Sequence, residues 1–398
     1  MDGQSAAGAA LPEWDEFIEA FRGRGERALA LAADPADPQL RQELSHQLLT
    51  SLVHGYIGMV YADPEYPEFI PTLGLALNYA APVPDFMYKG TPIEGDGVYR
   101  IWGNRGSCTF VDLNVNAGYW AKGTGARRLA AYTLDDLTLS PSGDFEVILS
   151  NARPAGYTGD WWRLDPAGRR LGGRRACSDW LNETDARLAI ERLDRPARRP
   201  RRTREDIARR MAALPAWIDN GVSTWLEHVA KQKAAAPTND VAVHDFSYIG
   251  GAEGQVYMEG AYDVAPDEAL LFDTDVPEAC RYWSILVTDE LFSTLDWMHR
   301  VSSLNHRQAT LGADGRFRAV ISARDPGTPN WIDVGDYRRG MMQIRWNRAS
   351  STPQPKFTKL KADEVWTHLP ADTPRVSAAE REAQLRLRRK GAQMRQVW

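Results

Sequence analysis

The sequence predicts a mainly β fold with α: two jelly-roll-like antiparallel β-sandwich halves with an N-terminal helical pair, a central helical linker and a C-terminal helix. Three observations carry that expectation. Apolar residues alternate with period two in two separate stretches, from about 91 and from about 241. Helical spacing governs 13–61, 203–235 and the tail from 377. A block of the first β stretch also recurs in the second.

The elements follow in order. In EWDEFIEAFRGRGERALALAA, Trp14, Phe17, Ile18, Phe21 and Leu29 fall close to helical spacing. Asp34 to Pro38 breaks that helix, and LRQELSHQLLTSLVHGYIGMVYA resumes until three prolines in DPEYPEFIP end it. In VYRIWGNRGSCTFVDLNV, Gly103, Asn104 and Gly106 read as a hairpin turn between two strands. LDDLTLSPSGDFEVILS repeats the pattern, turning at Pro141, Ser142 and Gly143. Several short strands at such spacing suit a sandwich or jelly roll.

A linker at 192–210 carries nine arginines and runs into a helix begun by Thr203 and Asp206. Ile207, Met211, Leu214, Ile218, Val222, Trp225 and Val229 give that helix one apolar face, with a kink expected at Pro215. GQVYMEGAYDV, EALLFDTDV and RYWSILVTD restore period two. Ser377 and Glu380 form a capping box for the last helix, whose charged end, RLRRKGAQMRQVW, reads as mobile. The expected division is 1–80 helical, 81–195 first sandwich, 196–240 linker and helix, 241–365 second sandwich, and 366–398 tail. The two sandwiches read as copies of one unit. GDFEVILSNARP at 143–154 aligns with GRFRAVISARDP at 315–326; Asp160-Trp161 then matches Asn330-Trp331, and Arg175 matches Arg345.

Composition narrows the function. With 53 acidic and 48 basic residues the net charge is −5, and 43% of the chain is hydrophobic, as in ordinary globular proteins. No apolar run approaches the ~18 residues of a membrane helix, and MDGQSAAGAALPEWDEF shows no signal-peptide pattern. Three scattered cysteines, Cys108, Cys177 and Cys280, suit a reducing compartment, so a cytoplasmic protein is expected. No GxSxG, P-loop, HExxH or helix-opening GxGxxG occurs. The reading is therefore of no cofactor and no metal site. The basic run lacks interleaved aromatics, so a nucleic-acid partner is not expected; nor is a membrane. Trp398, following Val397, is costly to leave exposed, so the C-terminal helix is expected to dock on a second copy.

The candidate site rests on polar residues in unusual settings. LDWMHRVSSLNHRQATL concentrates polar groups in a β region, offering His306 as general base with Asn305 and Gln308 to orient a substrate. Asp85 and Tyr88, in the stiff segment PVPDFMY, pair an acid with a phenol as candidate proton donors. Arg345 shares a strand face with Gln343 and Asn347, the pattern of an anion clamp or an interdomain ion pair. Asn330 and Trp331 complete the substrate-binding set, and 14 tryptophans hint at flat walls for a ligand.

At PNWIDVGDYRRGMMQIRWNRA, DGRFRAVISARDPG and SLNHRQ, the chain resembles a bacterial family known as domain of unknown function 1214, often found with a related one numbered 1254. PVPDFMY, VYRIWGNRGS and RRACSDW in the first half are similar to family members as well. The resemblance implies a β-rich, jelly-roll-like fold and places Asp85, Tyr88, Arg105, Asp179, Trp180, Asn305, Gln308, Asn330, Trp331 and Arg345 in matching motifs. It implies no common activity. Where members read Asn-Pro-Asp, this chain has Val83-Pro84-Asp85, so the asparagine is absent. The functional expectation is a cofactor-independent catabolic hydrolase or lyase acting on a small apolar or aromatic molecule. The alternative is a non-catalytic carbohydrate or small-ligand binding module, with Trp161, Trp162 or Trp331 as exposed platforms.

Overall fold

A computed structural model describes residues 11–119, 126–246 and 250–395. The N-terminal region holds α1 (Trp14–Glu19), α2 (Arg24–Leu29) and α3 (Pro38–Gly55), the last running into a π-helical turn at Tyr56–Tyr61. The single helix expected at 13–33 is two, because Gly23 adopts φ 72° and turns the chain. Asp37 caps α3 by accepting from Gln39 and Leu40, with Pro38 in its first turn.

Nine strands follow: β1 (Ile70–Leu73), β2 (Phe86–Pro92), β3 (Tyr99–Asn104), β4 (Phe110–Asn116), β5 (Arg128–Thr133), β6 (Asp144–Ser150), β7 (Asp160–Arg163), β8 (Arg170–Ala176) and β9 (Arg187–Arg192). They make a five-stranded sheet, β1-β2-β8-β4-β5, and a four-stranded sheet, β7-β6-β3-β9. Strand pairing thus begins at Ile70, inside the region read as helical. The expected hairpins are absent: β3 and β4 lie in different sheets, as do β5 and β6. Both turns carry the chain across the sandwich, and they meet where the Arg105 N–H donates to the Gly143 carbonyl at 2.8 Å.

Helix α4 (Arg204–Ala235) connects the halves, with Pro215 inside it and Thr203 capping it. The arginine run packs onto the π-helical turn rather than lying free. Arg202 donates to the Val60 and Tyr61 carbonyls, and Arg210 to that of Ala62. A second set of nine strands then forms: β10 (Ala242–His244), β11 (Gln255–Asp263), β12 (Glu268–Thr274), β13 (Cys280–Thr288), β14 (Ser303–Asn305), β15 (Phe317–Ser322), β16 (Trp331–Asp333), β17 (Arg339–Ala349) and β18 (Lys356–Lys361). Their sheets are β10-β11-β17-β13-β14 and β16-β15-β12-β18. Each strand of the second half occupies the place of the strand nine earlier, including the parallel pairs β6–β7 and β15–β16.

The duplication reaches side chains. Trp161 Nε1 donates to Ser150 Oγ at 3.0 Å, and Trp331 Nε1 to Ser322 Oγ at 3.1 Å. Both serines donate to a carbonyl two residues on, at 2.8 Å. Each sandwich has its own apolar core, one around Ile101, Leu113 and Leu149, the other around Phe272, Ile285 and Trp346. A third cluster, with Phe86, Phe110, Trp225, Tyr282 and Phe292, joins the outer faces of the two five-stranded sheets. The chain closes with α5 (Val365–His368) and α6 (Ala378–Met394). The end of α6 is held rather than loose: Arg388 donates to the Trp297 carbonyl, and Arg395 pairs with Asp185 of the first half. Val397 and Trp398, and with them the expected docking residue, lie outside the described residues. Among the described residues no helix is long and apolar enough to cross a membrane.

Candidate functional site

The junction between the halves gathers most of the chemistry. Asp85 stands just before β2 and is 1% exposed. Its carboxylate accepts from Trp180 Nε1 at 2.8 Å, Asn305 Nδ2 at 2.6 Å and the Tyr282 hydroxyl at 2.5 Å. Trp180 belongs to the first half, Tyr282 and Asn305 to the second, so one carboxylate ties the sandwiches together. Burial pushes the Asp85 pKa up, and the three donors partly offset it.

His306 follows Asn305, with its ring edge-on to Tyr282 at 5.8 Å. Burial lowers its pKa, opposed by the Asp85 charge, and its Nδ1 is buried without a hydrogen-bond partner. Asn305 also serves its own loop, since Oδ1 accepts the Arg307 and Gln308 N–H groups. The structure therefore brings Asp85, Asn305 and His306 together.

Tyr88 and Arg345 lie on the other side of Phe86, in a chamber of about 90 Å³ between the two five-stranded sheets and α4. Its aromatic walls are Phe86, Tyr88, Trp225, Phe246, Tyr257 and Phe292; its polar lining is Arg174, Gln255, Gln343 and Arg345. Phe86 separates it from the Asp85 cluster, contacting Tyr88 at 5.8 Å and Tyr282 at 5.1 Å. Burial raises the Tyr88 pKa, with Arg345 and Arg174 opposing. Behind Gln343, which bonds Glu259, the Glu259 carboxylate meets His228 Nε2 at 2.8 Å.

Strand register corrects the sequence alignment by one residue. On β17 the even-numbered Met342, Ile344 and Trp346 enter the sandwich core, leaving Gln343 and Arg345 to face the first half. On β8 it is the odd-numbered Leu171 that enters the core, as does Cys177 just after the strand. Arg175 thus lies on the inner face, where its Nη1 donates to the Ala186 carbonyl at 2.6 Å. The partner of Arg345 is Arg174. Tyr88 is opposite Arg174 as Tyr257 is opposite Arg345.

The remaining expected residues sit elsewhere. Gln308 Oε1 accepts from Arg388 at 3.5 Å, on the side facing α6. Asn330 is held by Thr310 and Arg318 carbonyls at 2.6 and 2.7 Å, and Trp331 is 7% exposed beneath Arg381. Trp162 is equally buried and Trp161 half-buried, so these three tryptophans form no open platform. Arg174, Tyr257 and the aromatic walls other than Tyr88 escaped the sequence reading. Strand parity is the signal that could have found the first two, once the faces of β8 and β11 were known. Among the described residues no group of three or more His, Cys, Asp or Glu is placed to hold a metal ion.

Residues 260–348, from β11 through β17, match the model of the family described as Protein of unknown function (DUF1214). This segment is similar to the DUF1214 family. It contributes Tyr282, Asn305, His306, Gln343 and Arg345 to the junction, while Asp85, Tyr88, Arg174 and Trp225 lie outside it. A crystal structure of an uncharacterized protein from Burkholderia cenocepacia shares the fold. It has a TM-score of 0.82 and 24% identity over 88% of this chain and 97% of that one. A protein from Vibrio parahaemolyticus aligns over 84% of this chain and 100% of its own, with 11% identity and a TM-score of 0.45. No curated protein matches the chain.

Proposed function

We propose that the protein binds a small organic molecule in the chamber between its two sandwiches. The observation carrying this reading is the chamber's composition: six aromatic rings around a few fixed polar groups, at the seam of two domains. Ligand sites favour this setting, because apolar walls supply affinity and a few buried polar groups supply orientation. A volume of about 90 Å³ suits a molecule of roughly half a dozen non-hydrogen atoms. In this reading the ligand is a soluble cytoplasmic metabolite and no cofactor takes part. The test is a ligand-observed NMR screen of small organic fragments against the wild type and Leu73→Trp, whose larger side chain fills the chamber from β1. Hits should be lost in the folded variant. Hits that bind it equally well would move the site elsewhere.

A catalytic reading draws on one further observation, the unpartnered buried Nδ1 of His306 beside Asp85. A hydrolase or lyase would use His306 as base and Asp85 as acid, while Tyr88 and Arg345, expected to share that step, lie across Phe86 in the chamber. Any compound of the screen that is converted should be converted at least ~100-fold more slowly by His306→Gln. Undiminished conversion removes His306 from the chemistry.

A further inference from the structure

The two arginines of the chamber come from the two halves by one repeated construction. Each guanidinium lies over the tyrosine opposite it, Arg174 over Tyr88 at 6.0 Å and Arg345 over Tyr257 at 5.5 Å. Each tyrosine hydroxyl accepts the backbone N–H five residues upstream, from Val83 and from Ala252, at 3.2 Å in both cases. Each arginine then crosses to the other half. Arg174 Nη2 donates to the Gly250 carbonyl at 3.1 Å, and Arg345 Nη2 to the Ala81 carbonyl at 3.3 Å. Gly250 and Ala81 are themselves equivalent, each seven residues before its tyrosine and each in the left-handed region, at φ 80° and 46°.

This reciprocal crossing joins the halves, but it leaves charge over. Among the described residues neither guanidinium has a carboxylate partner, and their charge-neutral bonds go to backbone carbonyls. The buried acid on the same face, Glu259, is bonded by His228 and Gln343. Arg345 is 4% exposed, and its Nε and Nη1 have no hydrogen-bond partner. A buried cation without a counter-charge is among the costliest arrangements a protein interior can hold. Arg345, with the half-buried Arg174 facing the same chamber, calls for an anion there. A carboxylate accepts charge-assisted N–H bonds from a guanidinium, and the Nε and Nη1 groups of Arg345 have N–H donors to offer one. Phe86, Trp225 and Phe292 would then cover its hydrocarbon part.

We infer that the chamber binds a short-chain organic anion, a small monocarboxylate, held by Arg345 with Arg174 as the second cation. The inference rests on the chamber being a ligand site and adds the ligand's charge class. The probes are butyrate and its neutral isostere butyramide, titrated by NMR into the full chain and into Arg345→Met. Butyrate should bind at least ~10-fold more tightly than butyramide, and Arg345→Met should lose at least ~10-fold in butyrate affinity alone. Arg174→Met carries the same comparison if Arg345→Met does not fold. Equal binding of the two probes overturns the anion assignment and leaves the chamber as a ligand site. Binding of neither probe overturns the assignment, and the fragment screen then decides the chamber separately. Butyrate binding undiminished in the arginine variants places the anion elsewhere and overturns the assignment to this chamber.

Discussion

At the scale of single residues, buried acids set the behaviour of this protein with pH. Asp289, after β13, is 5% exposed and accepts the N–H groups of Leu291 and Ser293. Burial, with the nearby Glu43 and Glu290 charges adding to it, pushes its pKa to about 7. An aspartate in the unfolded chain ionises near ~3.9, so between the two values the fold keeps a proton that the unfolded chain has released. The stability this confers is complete below ~4 and is lost as pH rises through about 7, by up to about 4 kcal/mol. Asp289→Asn keeps the Oδ1 acceptor and removes the titration. Its melting temperature should therefore fall less than the wild type's between about pH 5 and pH 8. An equal fall would assign the slope to another group. Asp85 shows what sequence could and could not give at this scale. Its stiff setting between Pro84 and Phe86 was legible. Its three donors come from positions 180, 282 and 305, and only folding unites them.

At the scale of elements, local signals were read well and pairings less so. The caps at Thr203 and Ser377 appear as their residue types dictate, each accepting the N–H three residues on. The apolar stripe of α4 is buried from Leu214 to Val229, as its spacing requires. Period two likewise marks the strands. It cannot say which strand pairs with which, so two turns read as hairpins are passages between sheets. Nor does it assign a face without a register. Arg174 and Arg175 are adjacent, one entering the junction and the other its own sandwich, and a shift of one residue exchanges the roles. The duplication was visible in β6 and β15, where packing against the same serine and tryptophan held the residues constant. Elsewhere the topology repeats while the side chains have diverged, because a strand's place depends on pattern rather than identity.

At the scale of the whole molecule, long-range polar ties make two sandwiches into one body. Arg281 on β13 meets Asp112 on β4 at 2.5 Å, across the outer faces of the two five-stranded sheets. Arg395, beyond α6, reaches back to Asp185 with two parallel bonds of 2.9 and 3.1 Å. The side chains of this pair are 4% and 8% exposed. Burial alone would raise the Asp185 pKa, but Arg395 overrides it and holds the carboxyl below its usual value. Arg395→Ala would leave a buried carboxylate without its cation, at an expected cost of about 3–5 kcal/mol. Urea unfolding of the variant measures it, and a loss under about 1 kcal/mol would mean that water already screens the pair.

The sequence by itself determined the β-rich class, the helices with their caps, the repeated unit and the resemblance to the DUF1214 family. All of these follow from periodicity and residue type within a short window. Tertiary structure alone decided that the five-stranded sheets meet on their outer faces, and so which strand faces line the junction. It brought Tyr88 and Arg174 up to Tyr257 and Arg345, residues more than eighty positions apart. A local pattern specifies that such side chains point out of a sheet. What they then meet depends on how two finished sandwiches dock, and that is settled by the fit of whole surfaces.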